Sequence, residues 1–208
     1  MRRIGDTAIA AVTVVALGTG VWLLGTSTGT GTPPQPSAAE GRPDPGGERG
    51  GAPPLMASPP TRIRIPAIRV NAPLMGLALT SSGSLDVPPP AEKNLAGWYE
   101  AGTTPGDTGT AVVAGHVDNT QGPAVFYDLG ALKRGTTIEV DREDATTAVF
   151  TVDAVEVYSA KNFPDEKVYG ASSRPELRVI TCGGGYSKST GYQGNVVVFA
   201  HLTGAHGT

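Results

Sequence analysis

The chain has 208 residues, a formal net charge of −3 and one cysteine. That length holds one ordinary domain plus additional segments. The near-balanced charge offers no handle for nucleic acid or an anionic surface, and a lone cysteine excludes an internal disulfide.

At the N-terminus Met1-Arg2-Arg3 precedes an uncharged stretch, residues 7–24, rich in Val, Ala, Leu and Ile. At 1.5 Å per residue it spans roughly 27 Å, close to the hydrocarbon thickness of a bilayer. The two arginines are expected to hold the N-terminal tip in the cytoplasm. Residues 1–25 therefore read as cytoplasmic tip and single-pass transmembrane anchor, with everything after them extracellular. A cleavable signal peptide is the alternative, but no small-x-small site directly follows the apolar run.

Residues 26–60 are mostly Gly, Pro, Ser, Thr and Ala, with almost no large apolar side chains. Such a composition cannot offset its own ordering entropy, so a disordered, partly extended linker is expected. Residues 61–208 form the remaining domain. Abundant Gly and Pro with few long helical patterns make it β-rich.

Within that domain Arg62-Ile63-Arg64-Ile65 alternates polar and apolar and is halted by Pro66, as an opening strand would be. Residues 109–115 form a buried-looking strand with His116 at its C-terminal end. Residues 122–133, with Val125, Phe126, Leu129 and Leu132 at helical spacing, predict a short helix. Residues 137–140 and 148–158 read as strands joined by the polar turn 141–144, whose acidic run suits a turn better than a calcium site. Along the second strand Phe150, Val152 and Ala154 alternate, then Val155 and Val157 take the opposite parity, which predicts a bulge. Residues 177–182 and 195–200 complete at least six strands. The architecture expected is all-β: a closed or nearly closed barrel with small helical decorations.

Two strand ends carry the chemistry. Residues 177–181 deliver Cys182 into the turn Gly183-Gly184-Gly185, where a substrate can reach the sulfur. A thiol is mostly protonated at neutral pH and becomes an effective nucleophile when a nearby imidazolium stabilises the thiolate. His116 is the best partner, since His201 lies just past the last strand and His206 in the C-terminal tail. Taken singly, a buried Cys is usually a core residue and a His after a strand a hydrogen-bonded surface group. Their matching settings support each other. No His, Cys, Asp or Glu cluster has metal-ligand spacing, and no cofactor is called for.

The apolar N-terminus, Arg62-Ile-Arg-Ile-Pro-Ala-Ile68, Gly115-His116, Ile180-Thr181-Cys182 and the closing strand Val196-Val-Val-Phe-Ala200 together resemble a sortase. Gly97-Trp98-Tyr99, Pro105-Gly106, residues 109–116, Val125-Phe126 and Cys182-Gly-Gly resemble the class F group of high-GC Gram-positive bacteria. The likeness runs from about residue 61 to residue 200.

The resemblance implies a cysteine transpeptidase on an eight-stranded β-barrel. It implies recognition of a Leu-Pro-x-Thr-Gly-like signal near the C-terminus of secreted proteins, with cleavage after Thr. Carried over, Cys182 attacks the threonyl carbonyl and holds the acyl group as a thioester, while His116 protonates the leaving amine and deprotonates the incoming one. The acceptor implied is an amine on a peptidoglycan precursor, and the protein is expected to be a monomer.

One departure stands out: sortases place an arginine after the cysteine, and here none follows Arg178. The stretch 188–195 offers Lys188 as its only cation, with Gln193 and Asn195 as neutral donors; Thr181 and the amides of Gly183 and Gly184 are further oxyanion candidates. For Lys188 a solvated loop lysine is the plainer role. Asp118 and Asn119 suit either orientation of His116 or a polar turn. Trp98 and Tyr99 suit a groove wall or packing, and the family places residues 158–169 in the peptide-binding wall. Papain-like peptidases, L,D-transpeptidases and caspases each require a Cys and His order or flanking pattern absent here. The remaining alternative is a membrane-anchored, sortase-like binding domain that is catalytically weak or inactive for want of the arginine.

Overall fold

Ile63 and Ile65 are fully buried while Arg62 and Arg64, alternating with them, stay half-exposed, so the opening strand has one face in a core. The computed structural model describes residues 31–41, 50–189 and 191–207. Within the compact unit Pro33–Thr208 the chain forms β1 (Pro60–Ile65), β2 (Val70–Leu77), β3 (Ala96–Tyr99), β4 (Gly109–Gly115) and two short bridging strands, β5 (Asp118–Asn119) and β6 (Gly122–Pro123). There follow β7 (Thr137–Arg142), β8 (Thr146–Ser159), helix α1 (Asp165–Tyr169), β9 (Pro175–Ser187) and β10 (Gly191–Gly207). Eight strands close a barrel in the order β1-β2-β3-β4-β9-β10-β8-β7. Closure removes the unpaired edges that an open sheet would expose.

Inside, Ile65, Val113, Phe126, Phe150, Leu177 and Val198 belong to one apolar cluster. A second cluster lies on the outer face of the wall, where Val112 of β4, Ile180 of β9, and Val197 and Phe199 of β10 pack with Val168 of α1. Strand residues of one parity thus fill the barrel, and those of the other parity build an outer platform. The parity switch expected in β8 is a bulge at Asp153: Phe199 pairs with Ala154, but the next residue, Ala200, pairs with Val152.

Residues 122–133 are not the helix that their spacing suggests. They hold β6, a run of turns and one 3-10 turn, Leu129–Ala131. Val125, Phe126, Leu129 and Leu132 are all buried as expected. The segment runs through turns instead, starting at Gly122-Pro123, and Gly130 meets the Pro34 carbonyl so closely that no side chain fits there.

Residues 33–41 and 50–59, whose composition suggests a mobile linker, carry hydrogen bonds to the barrel. The Val155 amide donates to the Glu40 carbonyl at 3.1 Å, Ala52 donates to the Leu202 carbonyl at 2.9 Å, and Leu55 to that of Gly106 at 2.8 Å. The Glu40 carboxylate accepts from the Arg134 amide at 2.9 Å. The expected transmembrane stretch, residues 7–24, lies outside the described residues. Among the described residues no helix is long and apolar enough to cross a membrane.

Candidate active site

β4 and β9 run parallel, with Ala114 beside Ile180. Two residues further along the chain from each stand His116, just past the end of β4, and Cys182, still inside β9. The Thr181 hydroxyl donates to the Gly115 carbonyl at 2.8 Å and fastens the two strand ends at this level. Gly115 itself is required: a Cβ there would sit 2.7 Å from the side chains of Val125 and Phe126.

Cys182 is exposed at one end of a groove of about 890 Å³. Val112, Ala114 and Ile180 form its floor, residues 83–87 contribute one wall, and Phe163 and Tyr169 another. Tyr99 reaches the groove, whereas Trp98 is buried and donates its indole N–H to the Thr103 carbonyl at 2.9 Å. The groove can hold an extended peptide with apolar side chains and bring a carbonyl to the sulfur.

His116 is fixed by a contact that sequence inspection missed. Its Nε2 lies 2.7 Å from the Pro88 carbonyl. A carbonyl only accepts, so Nε2 carries the hydrogen, and Nδ1 is the nitrogen left to exchange protons. Asp118 and Asn119 do other work. The Tyr192 hydroxyl donates to Asp118 Oδ2 at 2.5 Å, and the Asn119 amide donates to the Pro90 carbonyl at 2.8 Å.

Burial first, and the Asp118 charge second, push the Cys182 thiol above its ordinary pKa. The sulfur is reachable from solvent but packed on its other sides, so the neutral thiol is the resting form and the reactive thiolate is the smaller population. Tyr192, pushed far above its usual range by burial and then by Asp118, stays a neutral donor.

Among the described residues no arginine lines the groove. Asn195 pairs directly with Cys182 across β9 and β10 and lines the groove. Both residues belong to the outer face, because Val196 and Val179 on the same strands point into the barrel core. Gln193 and Lys188 are exposed and do not line the groove. Thr181 has its proton committed to Gly115, and the Gly184 amide donates to Gln35 Oε1 at 3.3 Å. Arg178 is buried, ion-paired with Glu176 and stacked on Phe199 with its guanidinium carbon 4.6 Å from the ring centre. His201 is also buried, with Nδ1 2.9 Å from Asp153, and does not line the groove.

A family model for the sortase domain matches residues 63–203. Similar solved structures include the SrtA sortase of Actinomyces oris (TM-score 0.54, 21% identity, covering 76% of this chain and 89% of that one). Sortase A of Listeria monocytogenes aligns with a TM-score of 0.53 and 17% identity over 74% of this chain and 92% of that one. Sortase C1 of Streptococcus suis gives 0.52 and 19% over 71% and 74%. At these identities the likeness is one of fold. Among curated protein sequences none matches. With a closed eight-stranded barrel and the sortase model matched over most of the folded chain, the protein belongs to the sortase family of cysteine transpeptidases.

Proposed function

We propose that this sortase is a membrane-anchored, class F-like transpeptidase that cleaves Leu-Pro-x-Thr-Gly-like signals between Thr and Gly. Its clients are secreted proteins bearing such a signal, and its acceptor is an amine on a peptidoglycan precursor. The observation that supports this reading is the parallel pairing of β4 and β9, which lead to His116 and Cys182, with Cys182 lining an apolar groove.

The Cys182 thiol gives its proton to His116 Nδ1, the thiolate adds to the threonyl carbonyl, and the oxyanion that forms takes hydrogen bonds from the Asn195 amide. The C–N bond then breaks as His116 Nδ1 gives its proton to the leaving glycine amine, and a thioester remains. An incoming amine surrenders a proton to His116 and displaces the sulfur. The second reading, a weak or inactive descendant, is favoured only by the missing arginine.

Incubation of the full-length protein in detergent with quenched Leu-Pro-x-Thr-Gly peptides decides between them. Turnover and a mass adduct on Cys182, both lost in Cys182→Ala, are expected. A folded protein that yields neither with a degenerate peptide library overturns the transpeptidase reading.

A further inference from the structure

On the outer face of the barrel the site residues fall into a line. Val112, Ala114 and Cys182 line the groove, and His116 follows Ala114 two residues on, just past the end of β4. Beyond a bend at the buried Val117 comes Asp118, near enough to the sulfur for its charge to act on the thiol. Asp118 and Tyr192 do not line the groove, although both act electrostatically with Cys182, so they flank the sulfur outside the channel proposed for the acyl donor.

Asp118 is half-exposed and only half-satisfied. Its Oδ2 accepts from the Tyr192 hydroxyl, while Oδ1 has no hydrogen-bond partner among the described residues. Tyr192 is steadied by Tyr186, ring centres 5.2 Å apart. A carboxylate here works against thiolate formation, since its charge is among the causes that raise the Cys182 thiol. A group that opposes the nucleophile yet is held in place by a tyrosine answers to a different demand at the same site.

We propose that Asp118 Oδ1, with Tyr192 holding the other oxygen and presenting its ring, is the docking point for the acceptor, bound as a protonated primary amine. This inference rests on the transpeptidase reading above. A primary amine is largely ammonium in neutral water, and carboxylate plus aromatic faces is the chemistry that recognises ammonium over water. Once docked, the ammonium offsets the Asp118 charge and stands next to the thioester. One proton passes to His116 Nδ1, the amine nitrogen bonds to the acyl carbon, the C–S bond breaks with its electron pair on sulfur, and the second surplus proton goes to that sulfur. Amide, imidazolium and thiol remain, and the single positive charge is conserved.

The test compares wild type with Asp118→Asn in the full chain, using two probe amines: glycinamide, which is cationic near neutrality, and hydroxylamine, which is not. The expected result is a rise of roughly tenfold in the glycinamide concentration needed for half-maximal transfer, the scale of one charge-assisted contact. The hydroxylamine concentration needed for half-maximal transfer, read in the same variant and scaled to its own Cys182 acylation rate, should show no such rise. Equal losses for both amines, or no change for glycinamide, overturn the proposal. Iodoacetamide alkylation of Cys182 supplies a readout that needs no peptide donor. Glycinamide should alter its rate saturably in wild type and not in Asp118→Asn, and an effect absent from wild type or equal in both overturns the proposal. Failure of the transpeptidase reading itself would show separately, as no thioester from any peptide in wild type.

Discussion

Cys182 and Asn195 stand directly opposite each other on antiparallel strands and project from the same face of the barrel wall. Cβ atoms in such a pair are about 5 Å apart, so an amide on Asn195 reaches the oxygen of a carbonyl bonded to the sulfur.

Asn195→Ala is therefore expected to lower kcat/KM for peptide cleavage by about 10²-fold, the usual effect of removing one oxyanion donor. Lys188→Ala, at an exposed position away from the groove, should leave the rate within about twofold. Steady-state cleavage of a quenched peptide measures both. A larger loss at Lys188 than at Asn195 would reassign the oxyanion contact to the hairpin tip.

The Pro88 carbonyl fixes which nitrogen of His116 works. ¹⁵N chemical shifts of the neutral imidazole should show the hydrogen on Nε2 and none on Nδ1. The Nδ1–H tautomer would mean that the segment before β3 does not hold the ring.

Because burial and Asp118 both raise the Cys182 thiol, the rate of alkylation by iodoacetamide should keep climbing with pH beyond the range of an ordinary cysteine. Asp118→Asn removes one of the two causes, so its profile should shift to lower pH. A wild-type midpoint below the ordinary value would show instead that His116 dominates the thiol.

Glu176 ties the buried Arg178 to the wall below the site. Burial raises the Glu176 pKa, but hydrogen bonds from Arg174 and Arg178 outweigh it and leave the net value below the usual range. A depressed folded-state pKa gives stability that is present above the unfolded carboxylate value and lost as pH falls through the folded one. Glu176→Gln should cost about 2 kcal/mol at neutral pH, measured by urea unfolding. The gap to wild type should narrow in acid, where the wild-type carboxyl is itself protonated.

Much of the wall was legible because strand periodicity is local. Val112 and Val113 within 109–115, the run into Cys182, and the parity change around Asp153 can all be read without knowing any partner. β2 and β3 were missed: Pro73, Gly76 and Gly97 interrupt their patterns, and Gly97 is there because Leu77 of the neighbouring strand would strike its Cβ at 2.3 Å. The apolar spacing in 122–133 correctly marked buried residues but not their backbone, since turns can face four side chains inward as well as a helix can. Cys182 and His116 could be proposed from local pattern, although β9 continues through the glycines to Ser187 and places Cys182 within the strand and not at its end; Pro88 and Tyr192 could not. Their contributions exist only through contacts with His116 and Asp118, at sequence separations of 28 and 74 residues.

The parallel pairing of β4 with β9 has a consequence for the life of the chain. The histidine is made long before the cysteine, and the strands that carry them meet only across an intervening crossover, a slow kind of contact to close. Until it closes, the sulfur is an ordinary peptide thiol with neither a base beside it nor a cleft in front of it. On the transpeptidase reading, competence to acylate would thus be a certificate of completed folding, and an incompletely folded molecule would carry no loose protease into its surroundings.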